Sequence, residues 1–275
     1  MKKRFTTILL VFIFLIGLSV LLYPSVSDYV NSLNQSRAMT VYSEKVSQID
    51  PNAYKAVLEK AAEYNERLLK KPDRFRMKSE EQEEYKSLLN IGDTDVIGMV
   101  EVPAIHVKLP IYHGTNEAVL QVGVGHFEGA SLPIGGPGTH SALSGHRGLP
   151  SAKLFSDLDQ LKIDDRFTIT VLGETLAYKV DQILVVEPKD MDSLEIVEGA
   201  DYLTLITCTP YGVNSHRLLV RGVRTNNVSG SDTPEMLVVA DATRIETKVL
   251  ALVFAIPVFL VLLILYYIWR RRGRS

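Results

Sequence analysis

Two uncharged apolar runs, one near each end, set the first limit on how this 275-residue chain can fold. The C-terminal run, residues 249–269, has 21 residues, and a helix of that length covers the hydrocarbon core of a bilayer, about 30 Å thick. The N-terminal run, residues 5–22, has 18 residues. The sequence therefore predicts two transmembrane helices, in segments 1–24 and 248–275, with the folded part of the chain between them.

The N-terminal run has a second interpretation, because a cleaved signal peptide has the same basic start. The run is longer than the apolar segment of a usual signal peptide, and no clear small-x-small cleavage site follows it. These two features favour an uncleaved signal anchor over a cleaved peptide.

Basic residues indicate how the two helices are oriented. Lys2, Lys3 and Arg4 precede the first run, and four arginines lie within residues 270–274 after the second. By the positive-inside rule both termini are cytoplasmic, and residues 25–247 lie on the outer face of a cell membrane as part of a two-pass protein. The whole chain carries a net charge of −2, which gives no indication of a nucleic-acid partner, whereas membrane lipid is an expected one.

The region between the two runs changes character near residue 96. Before that point, Asp50 followed by Pro51 predicts a helix start, and an apolar periodicity continues to a stop at residues 70–72. A second short helix is predicted over residues 80–89. We therefore expect an extracytoplasmic helical region at 25–95.

Short β-prone runs separated by Gly and Pro follow from residue 96, and they favour a mainly β barrel or sandwich over 96–226. The predicted strands are 97–102, 106–112, 166–171, 177–186, 202–207 and 217–223, with a hairpin turn at 172–175. One short helix is expected near 152–159. Residues 227–247 are expected to be a linker to the second membrane helix.

Cys208 is the single cysteine, and it follows a strand that is predicted to be buried. Most lone cysteines are small buried hydrophobic residues. Outside the cytoplasm, however, an unpaired cysteine either pairs between chains or is kept free because it reacts. A side chain at a strand end beside a turn is held rigidly and is still accessible, which suits a nucleophile.

A histidine near a thiol can share its proton, and it can later serve as acid and base. His146 is the first candidate because glycines flank its segment, Gly145 to Gly148, and indicate a close backbone approach. His140 is the main rival. His126 and His216 are weaker ones.

A guanidinium could hold a substrate carbonyl or the oxyanion that forms from it. Arg217 lies nine residues after Cys208, so two strands joined by residues 210–215 would bring the two side chains together. Arg221 shares the same strand face by alternation, and spacing does not decide between the two arginines.

Three segments resemble one protein family. Residues 204–222, TLITCTPYGVNSHRLLVRG, resemble the active-site signature of the sortases, most closely the class C, pilus-building branch of Gram-positive bacteria. Residues 138–155 resemble the histidine segment of that branch, and residues 99–115 resemble its first barrel strands. The likeness covers about residues 45–224 and preserves the order of the three motifs.

The resemblance implies an eight-stranded sortase-type β-barrel with His146, Cys208 and Arg217 as its catalytic triad. It implies a cysteine transpeptidase, a thiol-dependent enzyme that cleaves LPxTG-like sorting signals through a thioacyl intermediate. In this branch the partners are pilin subunits, and a lysine of another pilin resolves the intermediate as an isopeptide bond. If water resolved it instead, the result would be hydrolysis.

Class C sortases also resemble one another in an N-terminal lid with an Asp-Pro-aromatic motif. The matching residues here are Asp73, Arg74 and Phe75, so arginine replaces the proline. By analogy, Asp73 would pair with the active-site arginine and Phe75 would cover Cys208. Because a proline would fix φ, its loss predicts a less rigid lid, and an ordinary solvated loop is the alternative.

Two other functions fit parts of the pattern. One is a housekeeping sortase that attaches proteins to the cell wall, and the other is a membrane-tethered barrel that binds peptides without catalysis. No cofactor is expected, and no acidic or His/Cys cluster in the sequence indicates a metal.

Overall fold

The computed structural model describes residues 2–91 and 94–225, and these residues form four α-helices and eight β-strands. The helices are α1 (Lys2–Ser47), α2 (Pro51–Leu69), α3 (Ser79–Ser87) and α4 (Glu117–Val122). The strands are β1 (Val96–Val102), β2 (Val107–His113), β3 (Val124–His126), β4 (Thr139–Ser144), β5 (Arg166–Val171), β6 (Glu174–Val186), β7 (Asp201–Thr209) and β8 (His216–Thr225). Short 3-10 helices lie at Pro103–Ile105, Leu158–Gln160 and Asp192–Leu194.

The eight strands close into one barrel in the order β1-β2-β3-β4-β7-β8-β6-β5, which confirms the predicted mainly β, eight-stranded fold. Two neighbouring pairs, β2 with β3 and β4 with β7, are parallel, and the other pairs are antiparallel. Alternate residues of each strand fill the interior, as Leu203 and Leu205 of β7 do. Closure removes free sheet edges, so the strand ends become rigid positions for side chains.

Two local predictions are confirmed in detail. The Asp50 carboxylate accepts hydrogen bonds from the backbone N–H groups of Asn52 at 2.9 Å and Ala53 at 3.4 Å, so it caps α2. Leu172 and Gly173 have φ values of 52° and 85° between β5 and β6. Two left-handed residues in succession are the geometry of a type I′ hairpin turn.

The helix predicted near residues 152–159 is wrong. Leu154 has φ +40°, which is outside the α-helical region, and the backbone N–H of Phe155 donates to the carbonyl of His146 at 3.1 Å. The chain forms turns there and ends them in the 3-10 helix Leu158–Gln160.

Sequence patterns missed three elements: α4, β3 and β4. α4 has six residues and β3 has three, so neither is long enough to establish a periodicity. β4 has the sequence THSALS, whose small and polar side chains are nearly all buried. A buried strand of this composition lacks the apolar alternation by which strands are recognised.

α1 is longer than the predicted membrane segment 1–24, because it continues through Pro24 to Ser47. The compact unit that contains the barrel begins at Ser27. Within that unit, the Tyr42 hydroxyl donates to the Ile97 carbonyl at 3.0 Å and accepts from the Leu172 N–H at 2.8 Å. The C-terminal half of α1 is therefore part of the barrel's packing.

One helix among the described residues, Phe5–Ser47, is long and apolar enough to cross a membrane, with a mean hydropathy of 2.8 in its most apolar window. The predicted linker 227–247 and second membrane helix 248–275 lie outside the described residues.

Candidate active site

The parallel pairing of β4 with β7 fixes the point at which the segment with His146 leaves the sheet. Ser144 lies opposite Ile206, and the Gly145 N–H donates to the Ile206 carbonyl at 3.0 Å. The Thr207 hydroxyl then donates to the Gly145 carbonyl at 2.8 Å. Because the strands are parallel, the residues that follow, His146 on one and Cys208 on the other, leave the barrel at the same end.

The glycines on either side of His146 have the close contacts that the sequence indicated. A Cβ on Gly145 would lie 2.7 Å from the Phe155 ring, and one on Gly148 would lie 2.7 Å from the Tyr211 ring. Gly148 also has φ +73°, a conformation that other residues rarely adopt. Both glycines therefore let the histidine loop pack directly against aromatic rings.

Cys208 and Arg217 are directly opposite each other in the antiparallel pair β7–β8. Cys208 is a free cysteine, and the residue is half-buried. Residues opposite each other in a ladder have Cβ atoms about 5 Å apart, and the two side chains lie on the same face of the sheet. The structure thus brings together the two residues that the nine-residue spacing linked.

The two candidate arginines differ in their partners. Arg221 donates from Nε and Nη2 to the Asp181 carboxylate at 3.1 and 2.7 Å and lies over the Tyr202 ring. The hydrogen bonds that Arg221 donates to Asp181 raise the pKa of Arg221. Arg221 is therefore committed to a structural ion pair.

Arg217 donates through Nη1 alone, to the carbonyls of Asn214 at 3.2 Å and His216 at 3.0 Å. No other acceptor within residues 2–91 and 94–225 bonds to this guanidinium. A guanidinium has five N–H donors, so Nε and Nη2 remain for a substrate oxygen.

The candidate histidines also differ in their hydrogen-bond partners and burial. Both ring nitrogens of His140 are occupied, Nδ1 with the Glu195 carbonyl at 2.7 Å and Nε2 with the Thr204 hydroxyl at 2.8 Å. Burial lowers the pKa of His140 to about 4, so the ring is neutral at pH 7. His126 is fully buried between Tyr85 and the Ser131 carbonyl.

His216 is exposed and contacts the neighbouring Ser215 hydroxyl. His146, in contrast, is 28% exposed, and its Nε2 lies 3.6 Å from the Glu117 carboxylate. It is thus both accessible to solvent and free of the structural hydrogen bonds that hold His126 and His140.

The candidate lid, Asp73–Phe75, lies in the connection between α2 and α3. Arg74 is 7% exposed and donates to the Gly129 carbonyl at 3.0 Å and the Leu194 carbonyl at 2.6 Å. Its guanidinium also lies 4.2 Å from the centre of the Phe75 ring. Burial lowers the pKa of Arg74. The arginine that stands where the motif has proline therefore anchors the segment to two backbone carbonyls.

Phe75 packs edge-on against Phe127, with ring centres 5.9 Å apart. Both rings cover an apolar cluster that includes Ile206 and Leu219. These two residues precede Cys208 and follow Arg217 by two positions, so they share a sheet face with them. Phe75 therefore occupies the apolar surface that leads to the thiol.

The expected ion pair between Asp73 and Arg217 is absent from the described part of the chain. Asp73 is exposed, and its backbone carbonyl accepts from the Arg76 N–H at 3.0 Å. The neighbouring Arg74 supplies the anchor instead, because its longer side chain reaches two backbone carbonyls.

Two residues near the site were not identified as site residues from the sequence: Arg74 as an anchor and Glu117 beside His146. Arg74 was visible only as a departure from a motif. Glu117 follows Asn116, whose side chain caps α4 by accepting from the Val119 N–H at 3.1 Å, but no motif connects it to the histidine. Within the described residues no group of three or more His, Cys, Asp or Glu side chains could hold a metal.

The fold and the site together define a class of protein: a closed β-barrel in which a free cysteine at a strand end lies opposite an arginine. Residues 100–225 match the model of the sortase domain. Sortase C1 from Streptococcus agalactiae has a similar crystal structure, with 53% sequence identity and a TM-score of 0.67 over 70% of this chain and 99% of that one. The chain belongs to the sortase family.

Two further proteins show how far the likeness extends. A Clostridium perfringens sortase C, solved with the C-terminal cell wall sorting motif, is 43% identical with a TM-score of 0.61, covering 69% of this chain and 98% of that one. Sortase A of Bacillus anthracis is 31% identical over 135 residues, which are 48% of this chain and 61% of that protein. The chain thus spans less than two thirds of that relative's length.

Proposed function

We propose that this chain is a class C sortase, a cysteine transpeptidase that cleaves an LPxTG-like sorting signal and joins pilin subunits through lysine isopeptide bonds. The observation that carries the proposal is the pairing of Cys208 with Arg217 at the barrel end where His146 also leaves its strand. A nucleophile, an acid–base group and a cation that can bind an oxyanion are the parts that acyl transfer requires.

In the first half-reaction the Cys208 thiolate attacks the threonine carbonyl carbon of the sorting signal. Arg217 donates N–H groups to the oxyanion that forms. The C–N bond to glycine then breaks, and protonated His146 gives its proton to the leaving amine. The product is a thioester on Cys208 with His146 neutral.

In the second half-reaction a lysine amine attacks the thioester carbonyl, and His146 accepts the proton that the amine loses. The C–S bond breaks and Cys208 leaves as the thiolate. The thiolate and imidazolium are thereby restored, and the threonine carbonyl carries a new amide bond to lysine.

A mass measurement tests the acyl-transfer mechanism. The full chain, in detergent, is incubated with an LPxTG peptide and quenched in acid. We expect an added mass equal to the acyl fragment, mapped to Cys208 and removed by hydroxylamine. A chain that neither gains this mass nor releases the glycine-terminated product, with the lid residue Phe75 intact or replaced by alanine, would instead be a peptide-binding barrel.

The housekeeping role differs in the acceptor rather than the mechanism. The similarity to class C structures, one of which contains a cell wall sorting motif, supports the pilus-building role. A competition experiment tests this role. The enzyme is given pilin from the same genome together with a cell-wall precursor amine, and the pilus-building role requires that pilin–pilin products dominate.

We further propose that the chain is a two-pass membrane protein with its barrel, residues 96–226, outside the cytoplasm. Phe5–Ser47 is a helix of suitable length and apolar character, and the sequence of residues 249–269 has the length and composition expected of a second span. The basic residues that flank both runs support cytoplasmic termini.

The lid is proposed to close over Cys208, with Arg74 as its anchor and Phe75 as its cover. Hydrogen bonds from a charged donor typically contribute about 1.5–3 kcal/mol each, and Arg74 makes two. The guanidinium is buried and its acceptors are backbone carbonyls, so closure does not require a particular side chain at residue 194. Residue 129 has to be glycine, because a Cβ there would lie 2.5 Å from the Arg74 carbonyl oxygen and 2.8 Å from the Phe75 ring. Asp73 is exposed, so it contributes less to closure than the ion pair with Arg217, expected from the family resemblance, would have done.

Replacing Arg74 with alanine removes both hydrogen bonds, so it should speed the reaction of Cys208 with a small thiol reagent by at least about tenfold, the factor that corresponds to about 1.5 kcal/mol from one of them. Phe75→Ala should act in the same direction. The measurement is the second-order labelling rate of the full chain, followed by mass. Arg76→Ala, two residues away and exposed, is the matched control. Equal rates for Arg74→Ala and wild type would show that the segment does not restrict access to the thiol.

A further inference from the structure

We propose that Glu117 binds the ammonium group of the acceptor lysine and holds it beside His146. The inference deepens the proposed function, on which it rests, by assigning a site for the second substrate. It is carried by the position of one exposed carboxylate next to the histidine that must take the lysine's proton.

The geometry makes Glu117 accessible to a second substrate. Its Oε2 lies 3.6 Å from His146 Nε2, and its side chain is 72% exposed. Its Oε1 accepts a hydrogen bond from Gln121 Nε2 at 2.6 Å, which restricts the rotation of the carboxylate. A group arriving from solvent can therefore meet Oε2 and the histidine together.

The surrounding charges leave this carboxylate available. Arg147, the neighbour of His146, is already paired with Asp159. Arg217 donates to backbone carbonyls. Within residues 2–91 and 94–225, the one ionic partner of Glu117 is His146 itself. Glu117 is thus an acid whose partner changes its charge during the reaction.

That change gives the carboxylate a different partner in each half-reaction. Before acylation His146 is protonated, and Glu117 pairs with the imidazolium. After His146 has given its proton to the leaving glycine amine, it is neutral and the carboxylate has lost its cation. A lysine ammonium then replaces the imidazolium as the partner of Glu117, since a lysine amine is protonated at neutral pH.

The bound ammonium lies beside the neutral imidazole. It transfers one proton to His146, and the free amine attacks the thioester carbonyl. The C–S bond breaks, Cys208 leaves as the thiolate, and the attacking nitrogen loses its second proton to solvent water as the amide forms. The imidazolium that results from the first proton transfer pairs again with Glu117. Water carries no charge, so its hydrogen bond to the carboxylate is weaker than the ion pair that an ammonium forms, and Glu117 favours transfer to lysine over hydrolysis.

The test compares a charged acceptor with a neutral one in the same acyl-enzyme. The full chain in detergent is given an LPxTG peptide with either Nα-acetyl-lysine amide or hydroxylamine, which is uncharged at neutral pH. For Glu117→Gln we expect the ratio of lysine product to hydroxamate product to fall about threefold to fivefold, the scale of one exposed ion pair. Glu117→Asp should recover part of the ratio, and Glu83→Gln, on α3, should keep the wild-type value.

The ratio separates this role from positioning of His146. If Glu117 only oriented the histidine, both products would fall together and the ratio would not change, which would overturn the proposal. An unchanged ratio with unchanged rates would overturn it equally. If wild type formed no thioester with either acceptor, and Phe75→Ala did not either, the proposed function itself would fail.

Discussion

Replacing His146 with alanine is expected to lower the rate at which Cys208 is acylated by about 10²- to 10⁴-fold, the usual contribution of general acid–base catalysis. The leaving glycine amine would lose its proton donor, and the thiol would lose the group that shares its proton. The measurement is the initial release of the glycine-terminated fragment from an LPxTG peptide, at equal peptide concentration for both proteins.

His140→Ala is the matched control because it removes the rival histidine. It leaves the Thr204 hydroxyl and the Glu195 carbonyl without their partner, so it should lower the melting temperature while acylation per folded molecule stays near wild type. His146→Ala should have the reverse profile. If His140→Ala abolished acylation while its melting temperature was unchanged, the roles assigned to the two histidines would be wrong.

Arg217→Ala is expected to lower the acylation rate by about 10²- to 10³-fold, the cost of removing one oxyanion donor. The effect should appear mainly in kcat, because the guanidinium binds the oxyanion more strongly than the ground-state carbonyl. Arg217→Lys keeps the charge but loses the planar fork of donors, so it should recover only part of the rate.

Arg221→Ala is the control for the arginine, since it removes the same residue type from the same sheet face. It leaves the half-buried Asp181 carboxylate unpaired, and it should reduce stability more than kcat. A large fall in kcat for Arg221→Ala, with little change for Arg217→Ala, would transfer the oxyanion role to Arg221.

Much of the fold was predictable because its signals are local. The Asp50–Pro51 start of α2 and the turn between β5 and β6 depend on a few adjacent residues, and both are confirmed. β4 was missed because what makes it a strand is its parallel partner β7, which is more than 50 residues away in the sequence. Its buried polar residues, such as His140, find partners only once the barrel has closed.

In the candidate site, too, local spacing predicted some features, and others depend on residues that are distant in the sequence. Spacing linked Cys208 with Arg217 because the two strands form a hairpin, but it did not separate Arg217 from Arg221. The structure separates them through Asp181, which lies on β6 and 40 residues from its partner. Glu117 and the anchoring contacts of Arg74 depend likewise on distant chain segments, so no local pattern reveals them.

The antiparallel pairing of β7 with β8, the last strand in the sequence, also has a consequence for when the chain becomes reactive. Synthesis proceeds from the N-terminus, and the strand that contains Arg217 is the last of the eight to be made. A ribosome-bound chain that ends before residue 217 can hold Cys208 without its arginine, and one that ends before 208 has no thiol at all. An unfinished chain therefore has no assembled site that could react with a peptide, and reactivity begins only when the barrel is complete.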